Sequence, residues 1–176
     1  MSVTDEVLKA NESYAQEFKL GHLPMPPGRK VAIVACMDAR LTVEQVLGLK
    51  TGDAHIIRNA GGIVTEDAIR SLIISHHLLG TQEFIIINHT DCGMLTFKDD
   101  ELTAKLEAAT NASAVTPHHF YAFPELEKNV RQQIQRVKSH PWIPAGISVR
   151  GFIYDVKTGK LNEVTATEKV RGKSAE

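Results

Sequence analysis

The sequence predicts an α/β fold, a mainly parallel β-sheet flanked by helices with an antiparallel C-terminal hairpin strand. Three observations carry that expectation. "RKVAIVAC" (Arg29 to Cys36) and "EFIIINH" (Glu83 to His89) are short, β-branched apolar runs of the kind buried on both faces of a parallel sheet. Between them lies a helical crossover pattern, "TEDAIRSLIISHHLLG". Near the end, "ISVRGFIYDVKTGKLNEV" alternates on either side of the turn "KTG" and reads as a hairpin.

Taken in order, Val3 to about Lys19 is helical in pattern, but its apolar face is too thin to stand alone and must pack on something else, such as a second subunit. "GHLPMPPGR" (Gly21 to Arg29) is a Pro/Gly connector, not a domain boundary. "AHIIRN" (Ala54 to Asn59) is a third, weaker strand. In the crossover helix Thr65 suits the cap, Glu66 and Asp67 the first turn and Gly80 the stop, while Ile69, Leu72, Ile73 and Leu79 keep helical spacing. Leu126, Val130, Ile134 and Val137 share one face of a later helix opened by Pro124. Residues 1–164 read as a single domain whose first 20 residues form the N-terminal helix, and 165–176 as a polar, loose tail.

Composition narrows the function classes. The 176 residues are 43% hydrophobic and 23% charged, as in ordinary globular proteins. A formal net charge of -1 with no basic run gives no electrostatic support to a nucleic-acid or anionic-membrane partner. The N-terminus lacks the basic flank and apolar stretch of a signal peptide, and nothing approaches a membrane span, so a cytoplasmic location is expected. In that reducing compartment the two cysteines, Cys36 and Cys92, are core thiols or metal ligands before they are a disulfide.

Geometry favours ligands. Open parallel sheets gather ligands beyond the carboxyl ends of their strands. Cys36 ends one predicted strand, and "NHTDCG" sets His89 and Cys92 at the end of another. If the strands are neighbours, two thiolates and an imidazole converge, a donor set that suits zinc with an open fourth position. Each residue alone is more often core packing, and the shared station at strand ends is what lifts the set above chance. In "CMDAR", Asp38 and Arg40 follow Cys36 at two-residue steps and could face the metal together; alternatively Asp38 caps a helix from about Leu41 and Arg40 is a solvated charge. Spacing alone leaves both open.

"CMDAR", "GDAHIIRNAGG" and "HTDCG", in that order, resemble the β-class carbonic anhydrases, whose pattern is C-x-D-x-R followed some fifty residues later by H-x-x-C-G. The strongest part runs from Val31 to Thr96, and the short chain is similar to the compact members of the family. The resemblance implies one zinc ion per chain on Cys36, His89 and Cys92, with Asp38 and Arg40 as the catalytic dyad and the backbone N–H of Gly93 near a bound anion. It implies reversible hydration of carbon dioxide to bicarbonate and a proton by zinc-hydroxide attack. It also implies a homodimer or dimer of dimers in which the N-terminal helix reaches over the neighbouring subunit. Met37 and Ala39 occupy variable slots of the pattern. Relatives with the same ligands hydrolyse carbonyl sulfide or carbon disulfide, so those substrates stay open, as does an Asp38 that leaves Arg40 to become a fourth ligand. A non-catalytic zinc module is a remoter alternative.

Other residues carry blander expectations. "RNAGG" (Arg58 to Gly62) lacks the spaced glycines and lysine of a nucleotide cradle; its glycines would permit tight backbone near the metal, with Arg58 and Asn59 bracing it. His76, His77, His118 and His119 read as packing or surface groups, Asp91 as the cap of a following turn, and Trp142 as core or interface.

Overall fold

A computed structural model describes residues 2–113 and 116–165. Strands β1 (Val31–Cys36), β2 (Ala54–Asn59), β3 (Glu83–His89), β4 (Ser148–Tyr154) and β5 (Leu161–Val164) form one five-stranded sheet in the order β2-β1-β3-β4-β5. The first four are parallel and β5 runs antiparallel to β4, as the alternating hairpin pattern predicts.

Both faces of the central strands are covered, which is why β1 and β3 read as unbroken apolar runs. On one face Ala32, Val34, Phe84 and Ile86 pack with Ile69 and Leu72 of α3 (Glu66–His77) and with Val130, Ile134 and Val137 of α5 (Leu126–Lys138). On the other, Ile33, Ala35 and Ile87 meet Leu41, Met94, Phe123 and Tyr154, with Val43 of the short α2 (Val43–Leu47). The α3 cap is as expected, Thr65 accepting from the N–H of Ala68. Pro124 does not open α5: Glu125 is its N-cap, and Pro124 lies one residue further out. The residue before a proline is pushed out of helical geometry, so the chain turns there before the helix begins.

Helix α1 (Val3–Glu17) carries a Ser2–Asp5 capping box yet buries no residue. Val3, Val7, Tyr14 and Phe18 remain exposed along it. One helix escaped the sequence reading. Helix α4 (Asp99–Thr110) has no buried residue, so hydrophobic periodicity offered no signal; its three first-turn acids, Asp99, Asp100 and Glu101, and the left-handed Asn111 after it were the available ones. Trp142 is 68% exposed and is not core; it borders a surface groove with Ile73, Ile74, Leu78 and Pro144. Among the described residues no helix is long and apolar enough to cross a membrane. The polar tail lies outside the described residues except for Thr165.

Gly151 lets α5 approach β4. A Cβ there would lie 2.5 Å from Val130 Cγ1 and 2.6 Å from Ile134 Cδ1. Gly151→Ala is expected to lower stability by about 1–3 kcal/mol, the usual range for overpacking, read as a fall in thermal midpoint.

Candidate metal centre

Strands β1 and β3 are parallel neighbours, with Ala35 opposite Ile87, so Cys36 and His89 emerge side by side at the carboxyl edge of the sheet. Two residues after His89 the chain turns at Asp91, whose φ of 54° is left-handed, and Cys92 comes back toward the strand ends. Aspartate tolerates that conformation better than most residues. The ligating atoms of Cys36, His89 and Cys92 all lie within 4.8 Å of one another, and all three residues are buried.

The histidine tests whether this cluster suits a cation. Its Nδ1 is 2.8 Å from the carbonyl of Thr90, which fixes the proton on Nδ1 and leaves the Nε2 lone pair free. Among the described residues, Nε2 is the one buried side-chain nitrogen or oxygen atom without a hydrogen-bond partner. Buried polar atoms are normally satisfied, so an orphan beside two sulfurs points to a ligand position. The S, S, N set fits zinc.

The thiols are already polarised. Cys36 is pulled well below the usual thiol range, first by hydrogen bonding with Cys92 and, against burial, by the neighbouring His89 imidazole and the peptide N–H groups of Asp38 and Gly61. Cys92 is pushed upward by that same partnership and by burial. The pair thus favours one thiolate, and a divalent cation is the natural means of holding two.

Asp38 and Arg40 pair with each other, and Asp38 caps no helix; helix α2 starts later, after Thr42. Arg40 donates Nε to Asp38 Oδ1 at 3.0 Å and Nη2 to Oδ2 at 2.8 Å, and its backbone N–H also reaches Oδ1. Those bonds hold the Asp38 carboxyl well below the usual carboxylate range. Asp38 Oδ2 is 3.7 Å from His89 Nε2. Asp91 does not cap the following turn. Its carboxylate accepts from Arg40 Nη1 at 2.8 Å and its carbonyl from Nη2 at 3.0 Å, so Arg40 is gripped from both sides. The sequence reading missed that contact because it links two loops distant in sequence, and an acidic residue next to Cys92 was the only hint.

Behind the cluster, Arg58 and Asn59 brace the backbone as expected. Arg58 donates to the carbonyls of Cys36 at 3.0 Å and Asp38 at 2.7 Å. Asn59 both donates to and accepts from Ile63. Gly61 and Gly62 have positive φ, and a Cβ on Gly62 would stand 2.8 Å from Ile87 O and 2.9 Å from Cys36 N. The four other histidines weighed from the sequence lie elsewhere: His76 contacts the carbonyl of Thr81, His77 that of Trp142, and His118 and His119 are exposed.

The carbonic anhydrase family matches residues 31–161. The chain belongs to the β-carbonic anhydrase family. It is 52% identical over 165 residues to Beta-carbonic anhydrase 1 of Mycobacterium tuberculosis, covering 94% of this chain and 99% of that one. The crystal structure of carbonic anhydrase from Streptococcus mutans superposes with a TM-score of 0.88 at 47% identity, covering 94% and 99% of the two chains. A carbon disulfide hydrolase of Saccharolobus solfataricus is 36% identical, over 90% of this chain and 87% of its own. In this β-carbonic anhydrase the orphaned imidazole nitrogen and the Arg40-bound carboxylate of Asp38 therefore lie together at one edge of the sheet.

Gly62→Ala should cost about 1–3 kcal/mol from overpacking beyond the conformational penalty, and should impair metal loading. Gly80→Ala, with φ of 73° but nothing within 4 Å of a new Cβ, pays the conformational penalty alone. Thermal denaturation and metal content of the two variants separate these effects.

Proposed function

We propose that this chain catalyses the reversible hydration of carbon dioxide to bicarbonate and a proton, with one zinc ion held by Cys36, His89 and Cys92. The observation that carries the reading is the convergence of those donor atoms within 4.8 Å, beside a carboxylate fixed by Arg40. The 52% identical relative bears the same activity in its name.

Three protein donors leave a fourth position, the pattern of catalytic and not structural zinc. Zinc supplies a Lewis acid that can bring a water's pKa to about 7. Asp38 accepts the hydrogen of the attacking oxygen and turns a lone pair toward the carbon of the substrate. Arg40 holds both carboxylate oxygens, so Asp38 stays ionised, and an acceptor only, through the neutral range. That grip also disfavours its swinging away to become a fourth ligand. Gly93, next to Cys92, is exposed, and the family pattern would give its peptide N–H the role of approaching the bicarbonate anion. Two thiolates would cancel a dication's formal charge and weaken its acidity. Peptide N–H groups of Asp38 and Gly61 toward Cys36, and of Met94 toward Cys92, withdraw charge from the sulfurs and offset part of that loss.

Carbonyl sulfide or carbon disulfide hydrolysis is the second reading, favoured by the relative named carbon disulfide hydrolase. Identities of 52% against 36% weigh toward carbon dioxide. A non-catalytic zinc module would have no use for the Asp38–Arg40 pair. The purified protein is expected to hold one zinc per chain and to hydrate carbon dioxide in stopped flow, with little sulfide released from the sulfur analogues. Full zinc without hydration would sink the reading. Asp38→Ala should keep its zinc and lose activity by about 10–100-fold or more.

The chain further reads as a homo-oligomer, a dimer or dimer of dimers. Helix α1 buries none of its residues, and a 15-residue helix is marginal in water on its own, so covering a second copy is the assembly that would stabilise it. Removing residues 1–20 should reduce the assembled mass measured by light scattering; an unchanged mass would remove α1 from the subunit contact.

A further inference from the structure

We propose that a buried chain of three side-chain amides, Asn88, Asn129 and Gln133, positions the thiolate of Cys36 by gripping the 61–64 segment that lies against it. The inference rests on the zinc reading above and extends it to positioning residues to which the sequence motifs assign no role.

The hydrogen bonds run head to tail. The backbone N–H of Val64 donates to Gln133 Oε1 at 2.9 Å. Gln133 Nε2 donates to Asn129 Oδ1 at 2.9 Å, and Asn129 Nδ2 to Asn88 Oδ1 at 2.7 Å. Asn88 Nδ2 then donates to the carbonyls of Gly61 at 2.8 Å and Gly62 at 3.2 Å. Amide side chains can be placed either way round, but here the two ends decide. A peptide N–H at one end can only donate and peptide carbonyls at the other can only accept, so each amide has one orientation that satisfies the whole chain. The three side chains are 1–7% exposed, so an unmade bond would carry its full desolvation cost.

Both ends of the chain fall on the same short segment. Gly61, Gly62 and Val64 are held by it, and Ile63 is held by Asn59, so each residue from 61 to 64 is tied through a side-chain amide. That segment touches the ligand directly. Gly62 lies against the Cys36 backbone, where a Cβ would stand 2.9 Å from the Cys36 nitrogen, and the Gly61 peptide is among the groups that lower the Cys36 thiol. The anchor is α5, which packs on the sheet face opposite Cys36 and His89. Rigid-body placement of α5 is thereby transmitted to one thiolate and to the charge that sulfur would donate to a metal.

Cobalt(II) substituted into the full-length protein tests this, since its sulfur-to-metal charge-transfer and ligand-field bands report ligand geometry apart from turnover. Asn129→Leu should shift those bands and weaken zinc binding, in competition with a chelator, by about 10–100-fold. Val137→Ala, on the same helix but outside the chain, should lower the thermal midpoint without moving either readout. Unmoved bands and affinity in folded Asn129→Leu, or an equal shift in Val137→Ala, would overturn the proposal. If Asn129→Leu does not fold, Gln133→Met is read by the same criteria. Absence of any charge-transfer band in the unaltered protein would instead defeat the metal reading itself.

Discussion

The parallel pairing of β1 with β3 is the constraint on which the rest depends. Cys36 and His89 belong to different segments of the chain, and they meet because two apolar strands lie in register with Ala35 opposite Ile87. Adjacent strands are separated by about 4.8 Å. Residues at neighbouring strand ends therefore come close enough to share an ion without any long loop to position them. The driving force is burial of both faces of those strands, so the energy that folds the sheet also assembles two of the three proposed ligands. Cys92 needs only the tight turn at Asp91 to join them.

Charge is the second constraint. Two thiols and two carboxylates, Asp38 and Asp91, crowd one end of the sheet, and the structure distributes donors among them. Arg40 serves both carboxylates, Arg58 ties down the carbonyls of Cys36 and Asp38, and peptide N–H groups face the sulfurs. An acidic group with its donors already arranged does not have to reorganise as charge develops nearby, which is the physical content of a preorganised site.

Much of this was legible in the sequence. The bounds of β2 and β3, the crossover helix with its Thr65 cap, the hairpin, and the Cys36, His89 and Cys92 set all follow from apolar period, capping chemistry and strand-end position. What could not be read lacked a local signature. Helix α4 buries nothing and so has no apolar stripe, Pro124 marks a helix entrance only approximately, and the exposure of Trp142 depends on which surfaces remain uncovered. The Arg40–Asp91 contact and the Asn88–Asn129–Gln133 chain join residues far apart along the sequence, and a single sequence holds no trace of such pairings.

The end of β3 draws these threads together. Alternation along a strand sends Asn88 and His89 to opposite faces, and both are essentially inaccessible, at 1% and 0% exposed. Asn88 is fully engaged, accepting from Asn129 and donating to two carbonyls. His89, its immediate neighbour, has one nitrogen engaged and one without a partner. The same segment of backbone therefore satisfies one buried polar side chain completely and leaves the next deliberately incomplete. An uncompensated atom in so well-satisfied a setting is a cost of about 1–3 kcal/mol, and it is removed when a cation accepts the Nε2 lone pair. The contrast between these two adjacent residues is a stronger argument for a metal at this edge than the H-x-x-C spacing alone.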